Sequence, residues 1–126
     1  MTQAKPPSSE SQSVWNLDEL WARVDNDQDL LRDLLTIFKE DFPRTMGSLR
    51  AAIAAADLKS AASLSHTLRG MLSNLAAARS ASAAAEVERS AKAADAIAMS
   101  AALAQLEQET VSLLPQIDAY MSEVRT

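Results

Sequence analysis

The sequence of 126 residues contains no cysteine, which excludes a disulfide framework and thiol chemistry. It contains one histidine, and a lone histidine without cysteine cannot assemble the usual metal-ligand sets. A metal site or a hydrolase triad therefore ranks low among the candidate functions. Glycine, proline and aromatic residues are scarce, whereas alanine is abundant. This composition favours helices over strands.

Long apolar runs and an excess of positive charge are also missing. No segment approaches the roughly 20 apolar residues that a membrane-spanning helix needs. The polar stretch from Met1 to Ser13 lacks the apolar core of a signal peptide. The net charge of −5 argues against nucleic-acid binding, which requires a basic surface. We therefore expect a cytoplasmic protein that binds neither membrane nor nucleic acid, with residues 1–13 as a disordered tail.

Residues 14–126 carry helical periodicity and fit one domain. The first helix is predicted over 17–24, with Asn16 as its cap and Glu19 at the reciprocal capping position. The second is predicted over 28–56, where the apolar residues keep one phase across Pro43 and so favour a single bent helix. Those residues are Leu31, Leu34, Leu35, Phe38, Phe42, Met46, Leu49 and Ile53.

Three further helices are predicted over 58 to about 76, 79–94 and 97–124, with Asp57 capping the third helix of the chain. A single helix from 58 to 94 would be about 55 Å long, too long for this domain, so we place a break near Ala77. The fold class that follows is all-α: an antiparallel up-down four-helix bundle with a short additional N-terminal helix.

The stretch from Ser65 to Leu75 holds the only histidine and one of the two glycines. Glycine inside a helix costs about 1 kcal/mol relative to alanine, so Gly70 requires a reason. Helical spacing places His66, Arg69, Gly70 and Ser73 in one stripe. At about 100° per residue, His66 lies nearly opposite Leu68, and its imidazole is predicted to face water.

This stretch resembles the signature of histidine-containing phosphotransfer (HPt) domains. The run His-x-x-Arg-Gly from His66 to Gly70, followed by Asn74-Leu75, is similar to the family's usual His-Thr-Leu-Lys-Gly and Asn-Leu-Gly. The likeness extends from about Trp15 to the C-terminus. The chain departs from the usual pattern in having Arg69 for lysine and Ala76 for the glycine that would end the helix.

The charge pattern around the histidine suits a phosphoryl group. No Asp or Glu occurs from Leu58 to Ala85, although the chain as a whole is acidic. A phosphohistidine would be destabilised by neighbouring negative charge. The alternative is that carboxylates are absent by chance from an alanine-rich stretch.

The residues of the stripe can each contribute to phosphoryl transfer. The neutral imidazole of His66 is a nucleophile near neutral pH and forms a phosphoimidazole that can pass its phosphoryl group to a carboxylate on a second protein. Arg69 can donate hydrogen bonds to the phosphoryl oxygens. Gly70 allows a partner's active site to come close to the histidine, and the small side chain of Ser73 also leaves room for it.

The resemblance implies further residues and partners. HPt domains place an orienting group and often a basic group on the next helix, at positions that correspond to Glu88 and Lys92. The alternative is an ordinary solvated pair with i,i+4 spacing. The implied partners are receiver domains of a hybrid histidine kinase and of a response regulator. The implied protein is a monomeric phosphocarrier without independent turnover or cofactor, and any Mg²⁺ belongs to the receiver.

Two other functions compete with the phosphocarrier. The first is a helical interaction module that binds a receiver or kinase without carrying phosphate. The second is the dimerisation and phosphoacceptor part of a histidine kinase. This part usually has Glu or Asp directly after the histidine, where this chain has Thr67, and no glycine-rich ATP-binding region is present.

Overall fold

The computed structural model describes residues 13–124, and within this range every regular element is a helix. The helices are α1 (Leu17–Arg23), α2 (Gln28–Ala54), α3 (Leu58–Asn74), α4 (Ala78–Lys92) and α5 (Ala96–Val124). α3 packs against α2 and α4, and α5 packs against α4 and α2, which closes a four-helix bundle. The predicted all-α bundle with a short first helix is confirmed. The predicted disordered tail lies outside the described residues except for Ser13.

The helices begin where side-chain caps are available. The caps Asn16, Asp27, Asp57 and Asp95 each accept a hydrogen bond from the backbone N–H three residues ahead. Such bonds satisfy donors that a helix N-terminus leaves unpaired. α4 begins after Ala77 without a side-chain cap.

Three helices end at an alanine in the left-handed backbone region. Ala56, Ala76 and Ala94 have φ of 56°, 62° and 55° and follow α2, α3 and α4. After α3, the N–H of Ala77 bonds the carbonyl of Leu72 at 3.0 Å, the long bond of a Schellman motif. The break predicted near Ala77 is therefore present, formed by alanine in place of the usual glycine.

The N-terminal segment satisfies the carbonyls at the end of α3. Trp15 Nε1 donates to the carbonyl of Leu75 at 2.9 Å in a buried bond. Arg23 donates to the carbonyl of Ser73 at 2.7 Å. These bonds join α1 and the residue that precedes its cap to the C-terminal end of α3, because a helix end has free acceptors.

The side chains that α3 buries in the core determine which face of this helix is turned to solvent. Leu68 and Leu72 are fully buried, and Ser65 is buried with its hydroxyl donating to the carbonyl of Ala61 at 2.6 Å. On α2, Leu34 shares the helical spacing of the core residues but is 37% exposed. Leu34 lines a surface groove together with Ile37 of α2 and Met71 of α3.

α4 carries small residues, and polar contacts join it to α5. Its buried residues are mostly alanine and serine, which present little apolar area. Arg79 Nε lies 3.0 Å from Oε1 of the buried Glu109, and Gln105 donates to Oε2 at 2.8 Å. A buried carboxylate is tolerated when a cation lies beside it and it accepts hydrogen bonds, as Oε2 of Glu109 does from Arg79 and Gln105. Along residues 13–124 no helix is both long and apolar enough to cross a membrane.

Replacing Ala56 with glycine should raise the free energy of unfolding by about 1 kcal/mol. Ala56 is exposed and its left-handed φ is strained for alanine and free for glycine. Urea denaturation measures the change. The control is Ala104→Gly at an exposed position inside α5, which should lower the free energy of unfolding by about 1 kcal/mol. Equal destabilisation by both substitutions would contradict the strain at Ala56.

Candidate functional site

His66 projects from the outer face of α3. Its side chain is 62% exposed, whereas Leu68, on the opposite face of the helix, is fully buried. The orientation expected from helical spacing is therefore observed. Because α3 is a regular helix with an Asp57 cap at one end and bonds from α1 at the other, the ring stands on a well-supported element.

Glu88 of α4 lies against one nitrogen of this ring. The side chain of Glu88 is only 10% exposed, and its Oε2 and Oε1 lie 3.2 and 3.4 Å from His66 Nδ1. Val87 and Ala91 on the same helix are buried in the core, which places Glu88 at the seam between α3 and α4. Glu88 thus contacts the ring at Nδ1, and Nε2 points away from this contact.

Cations surround the buried carboxylate. Lys92 Nζ lies 3.0 Å from Oε2, and Arg69 Nε lies 3.8 Å from Oε1. The hydrogen bond from Lys92 holds the pKa of Glu88 below its usual value of 4.5 against the opposing effect of burial, and the charges of Lys92, His66 and Arg69 add to the lowering. Glu88 is therefore ionised near neutral pH, and Glu88 and Lys92 are more than a solvated pair along one helix.

The structure brings four of the candidate residues together and leaves two beside them. His66, Arg69, Glu88 and Lys92 line one surface groove. Gly70 is exposed, and a Cβ added there would meet no atom of the described residues within 4 Å, so nothing in that part of the chain requires a glycine. Ser73 lies in the adjoining groove between α3 and α4, which it shares with Arg69.

The sequence reasoning missed two residues of the groove. Ala85 and Arg89 line it together with Glu88 and Lys92. Their spacing of three and four residues on α4 is the signal that would have found them. The guanidinium of Arg89 pairs with Glu86 one turn back, so its positive charge is partly neutralised by that carboxylate.

An exposed apolar surface lies beside this stripe on the α2 side of the bundle. Leu30, Leu34 and Ile37 of α2 are exposed, and Leu34 and Ile37 share a groove with Met71 of α3. Clustered exposed apolar residues commonly mark a protein-binding surface. Within the described range no three His, Cys, Asp or Glu side chains come together to hold a metal ion.

The comparison with protein families bears directly on this arrangement. The family model of the Hpt domain matches residues 33–126. The chain belongs to the Hpt family. The match includes all of α3 and α4, and with them His66 and Glu88. Neither the curated proteins nor the solved structures gave a significant match. Hpt domains are phosphocarriers that act with receiver and response-regulator proteins, so a general histidine phosphotransfer role follows.

Replacing Lys92 with methionine should raise the pKa of Glu88. The ammonium group is the largest cause of the lowered value, and burial, which raises the pKa, remains in the variant. A pH titration of the Glu88 carboxyl ¹³C signal measures the change. Lys59→Met is the control, since Lys59 is an exposed residue near the start of α3. An unchanged pKa in Lys92→Met would show that the contact does not hold in solution.

The same lowering predicts how stability depends on pH. Because the pKa of Glu88 is lower in the folded than in the unfolded protein, its stabilising contribution is complete above the unfolded pKa. It is lost as the pH falls through the folded pKa. The difference in unfolding free energy between the wild type and Glu88→Gln should therefore shrink on acidification, as measured by urea denaturation at several pH values. A difference that stays constant over that range would argue against a lowered pKa.

Proposed function

We propose that this protein accepts a phosphoryl group from a receiver-domain aspartate on His66 and passes it to the aspartate of a response regulator. The observation that carries the proposal is the contact of a buried, ionised Glu88 with Nδ1 of an exposed imidazole. This contact orients the ring and leaves Nε2 directed toward a partner. Family membership supports the general role, and the geometry supports His66 as the residue that performs it.

Access to Nε2 suits in-line attack on phosphorus. Phosphoryl transfer depends mainly on positioning and on stabilisation of the transferred group's charge. Gly70, one turn after His66, leaves open space where a side chain would stand. A concave receiver site can therefore approach the ring closely. The partner would supply the acidic phosphoacceptor and any Mg²⁺, and this chain is proposed to contribute no cofactor.

Two cationic side chains lie beside His66, where a phosphoryl group on the ring would introduce negative charge. Arg69 and Lys92 both lie in the His66 groove, and α3 contains no carboxylate. Their donors can reach the oxygens of a phosphoryl group on the ring, and such charge-assisted bonds are stronger than neutral ones. Among residues 13–124, Glu88 is the one carboxylate in contact with the ring, and its charge is balanced by Lys92 and Arg69.

The exposed apolar surface of α2 supports the docking of a receiver. Leu34, Ile37 and Met71 form a groove on the side of α3 away from Glu88. Apolar cores with polar rims are typical of transient interfaces. The same surface would serve an interaction module that binds a receiver without phosphate, so the two functions are separated by whether transfer occurs.

The decisive experiment is transfer of label from a phosphorylated receiver domain. The wild type should acquire a label that is labile in acid and stable in alkali, because phosphohistidine has these properties. His66→Ala should acquire none while still binding the receiver, since the apolar surface is unchanged. Label that persists in His66→Ala would refute the assignment. A wild type that binds a panel of receivers and is never labelled would favour the interaction module.

The two glycines provide a matched pair for testing the docking role of Gly70. Gly70→Ala and Gly47→Ala should each raise the free energy of unfolding by about 1 kcal/mol, because both residues lie inside helices with open space around the added methyl group. Only Gly70→Ala should slow transfer, by about tenfold or more if the methyl group costs over 1.4 kcal/mol in the complex. Equal transfer rates in the two variants would remove Gly70 from the docking surface.

A further inference from the structure

Another pocket lies between α2 and α5 and shares no residue with the His66 groove. Its volume is about 340 Å³, near the lower end of the range for sites that bind small molecules. The residues that line the His66 groove belong to α3 and α4, so the two sites are separate. Three residues of α2 and three of α5 line the new pocket: Arg32, Thr36, Lys39, Asp118, Met121 and Ser122.

The guanidinium group of Arg32 lines this pocket without a partner. Among residues 13–124 it makes no hydrogen bond or ion pair, and its Nε is shielded from water with no acceptor beside it. A guanidinium group only donates hydrogen bonds. Because a shielded charged donor costs free energy when it is left unpaired, a ligand that brings an acceptor to Arg32 would be favoured.

A second unpaired donor lies near Arg32. The hydroxyl group of Tyr120 is shielded from water and has no hydrogen-bond partner within the described range. Burial raises the pKa of Tyr120 and the positive charge of Arg32 opposes this, so the two groups are close to each other. The ring of Tyr120 packs edge-on against Trp15, with ring centroids 6.0 Å apart. Two donors from neighbouring helices thus lack an acceptor in the same part of the bundle.

The charges of the pocket favour a ligand with a single negative charge. Lys39 forms an ion pair with Asp118 from the facing helix, which neutralises both groups. The one positive charge that remains is that of Arg32. A carboxylate matches this charge, and its two oxygens can accept a bidentate pair of hydrogen bonds from a guanidinium group. A doubly charged phosphate would carry one negative charge more than the pocket balances.

Met121 supplies an apolar wall. Its side chain is partly buried against the core and lines the pocket. A methionine side chain is flexible and adapts to the shape of an apolar group. The hydroxyl group of Thr36 donates to the carbonyl of Arg32 at 2.9 Å, so this donor is already used within α2. The pocket therefore suits a short hydrocarbon chain attached to a carboxylate.

We propose that the pocket between α2 and α5 binds a small organic monocarboxylate, with the carboxylate on Arg32 and the hydrocarbon chain against Met121. Since the ligand contacts both helices, binding should also stabilise the folded protein as the ligand concentration rises. The site takes no part in phosphoryl transfer, because none of its residues lines the groove of His66.

Titration with butyrate, followed by ¹H–¹⁵N amide spectra, tests this site. The amide signals of Lys39 and Met121 should shift and saturate in the millimolar range, as expected for a ligand of this size. Butyramide has nearly the same shape without the charge and should bind about tenfold more weakly or not at all.

Two arginine variants separate the role of Arg32 from a general effect of charge. Arg32→Met should weaken butyrate binding by about tenfold or more, because the guanidinium group is lost. Arg32→Gln should do the same and replaces it if Arg32→Met does not fold. The control is Arg44→Met, which removes an exposed guanidinium group from the same helix and should leave the affinity unchanged.

Shifts that are absent, that do not saturate or that lie only in the His66 groove would overturn the proposal. Equal affinity of the wild type and Arg32→Met for butyrate would also overturn it. Inorganic phosphate at pH 8 should bind the pocket more weakly than butyrate, and tighter binding would contradict a monocarboxylate as the ligand. None of these measurements uses label from a receiver, so they decide on this site whether or not the proposed function holds.

Discussion

The site depends on one buried carboxylate. Removing an ionised carboxylate from water costs several kcal/mol unless opposite charges and hydrogen bonds replace the lost hydration. Glu88 meets this condition through Lys92 on its own helix and through Arg69 and His66 on α3. The groups that make its burial tolerable are the groups that would handle a phosphoryl group. Stability at the seam between α3 and α4 and the orientation of the imidazole therefore come from the same contacts.

The rest of the bundle holds the two helices that form this seam. α3 is fixed at its C-terminal end by Trp15 and Arg23, which bond carbonyls that the helix leaves free. α4 has few large apolar side chains, and a second buried carboxylate, Glu109 of α5, joins it to the bundle through Arg79. An ion pair of a buried glutamate thus joins α4 to each of its two neighbouring helices. Glu88 pairs with Arg69 of α3, and Arg79 pairs with Glu109 of α5. Small residues on α4 also let it approach α3 closely, which brings Glu88 within reach of the ring.

Most of the fold was predictable because the signals are local. The Asn and Asp caps and the apolar spacing predicted the ends of every helix to within about two residues. The break after α3 was placed correctly without glycine, since the length of the domain excludes a continuous helix. Leu34 shares the spacing of the buried residues and is nevertheless 37% exposed, because periodicity shows which face of a helix is apolar, whereas the packing of the whole bundle decides how much of that face is covered.

The sequence by itself determined the helices, the exposed position of His66 and the stripe that continues through Arg69 and Gly70, because all of these follow from the 3.6-residue period of one helix. Only the tertiary structure decided between a solvated Glu88 and a buried one, and only it brought Arg69 and Glu88 to the same ring nitrogen. Glu88 lies 22 residues after His66 in the chain. Its contact with the ring depends on how α3 and α4 pack against each other, and no local sequence pattern predicts the distance between the carboxylate and the imidazole.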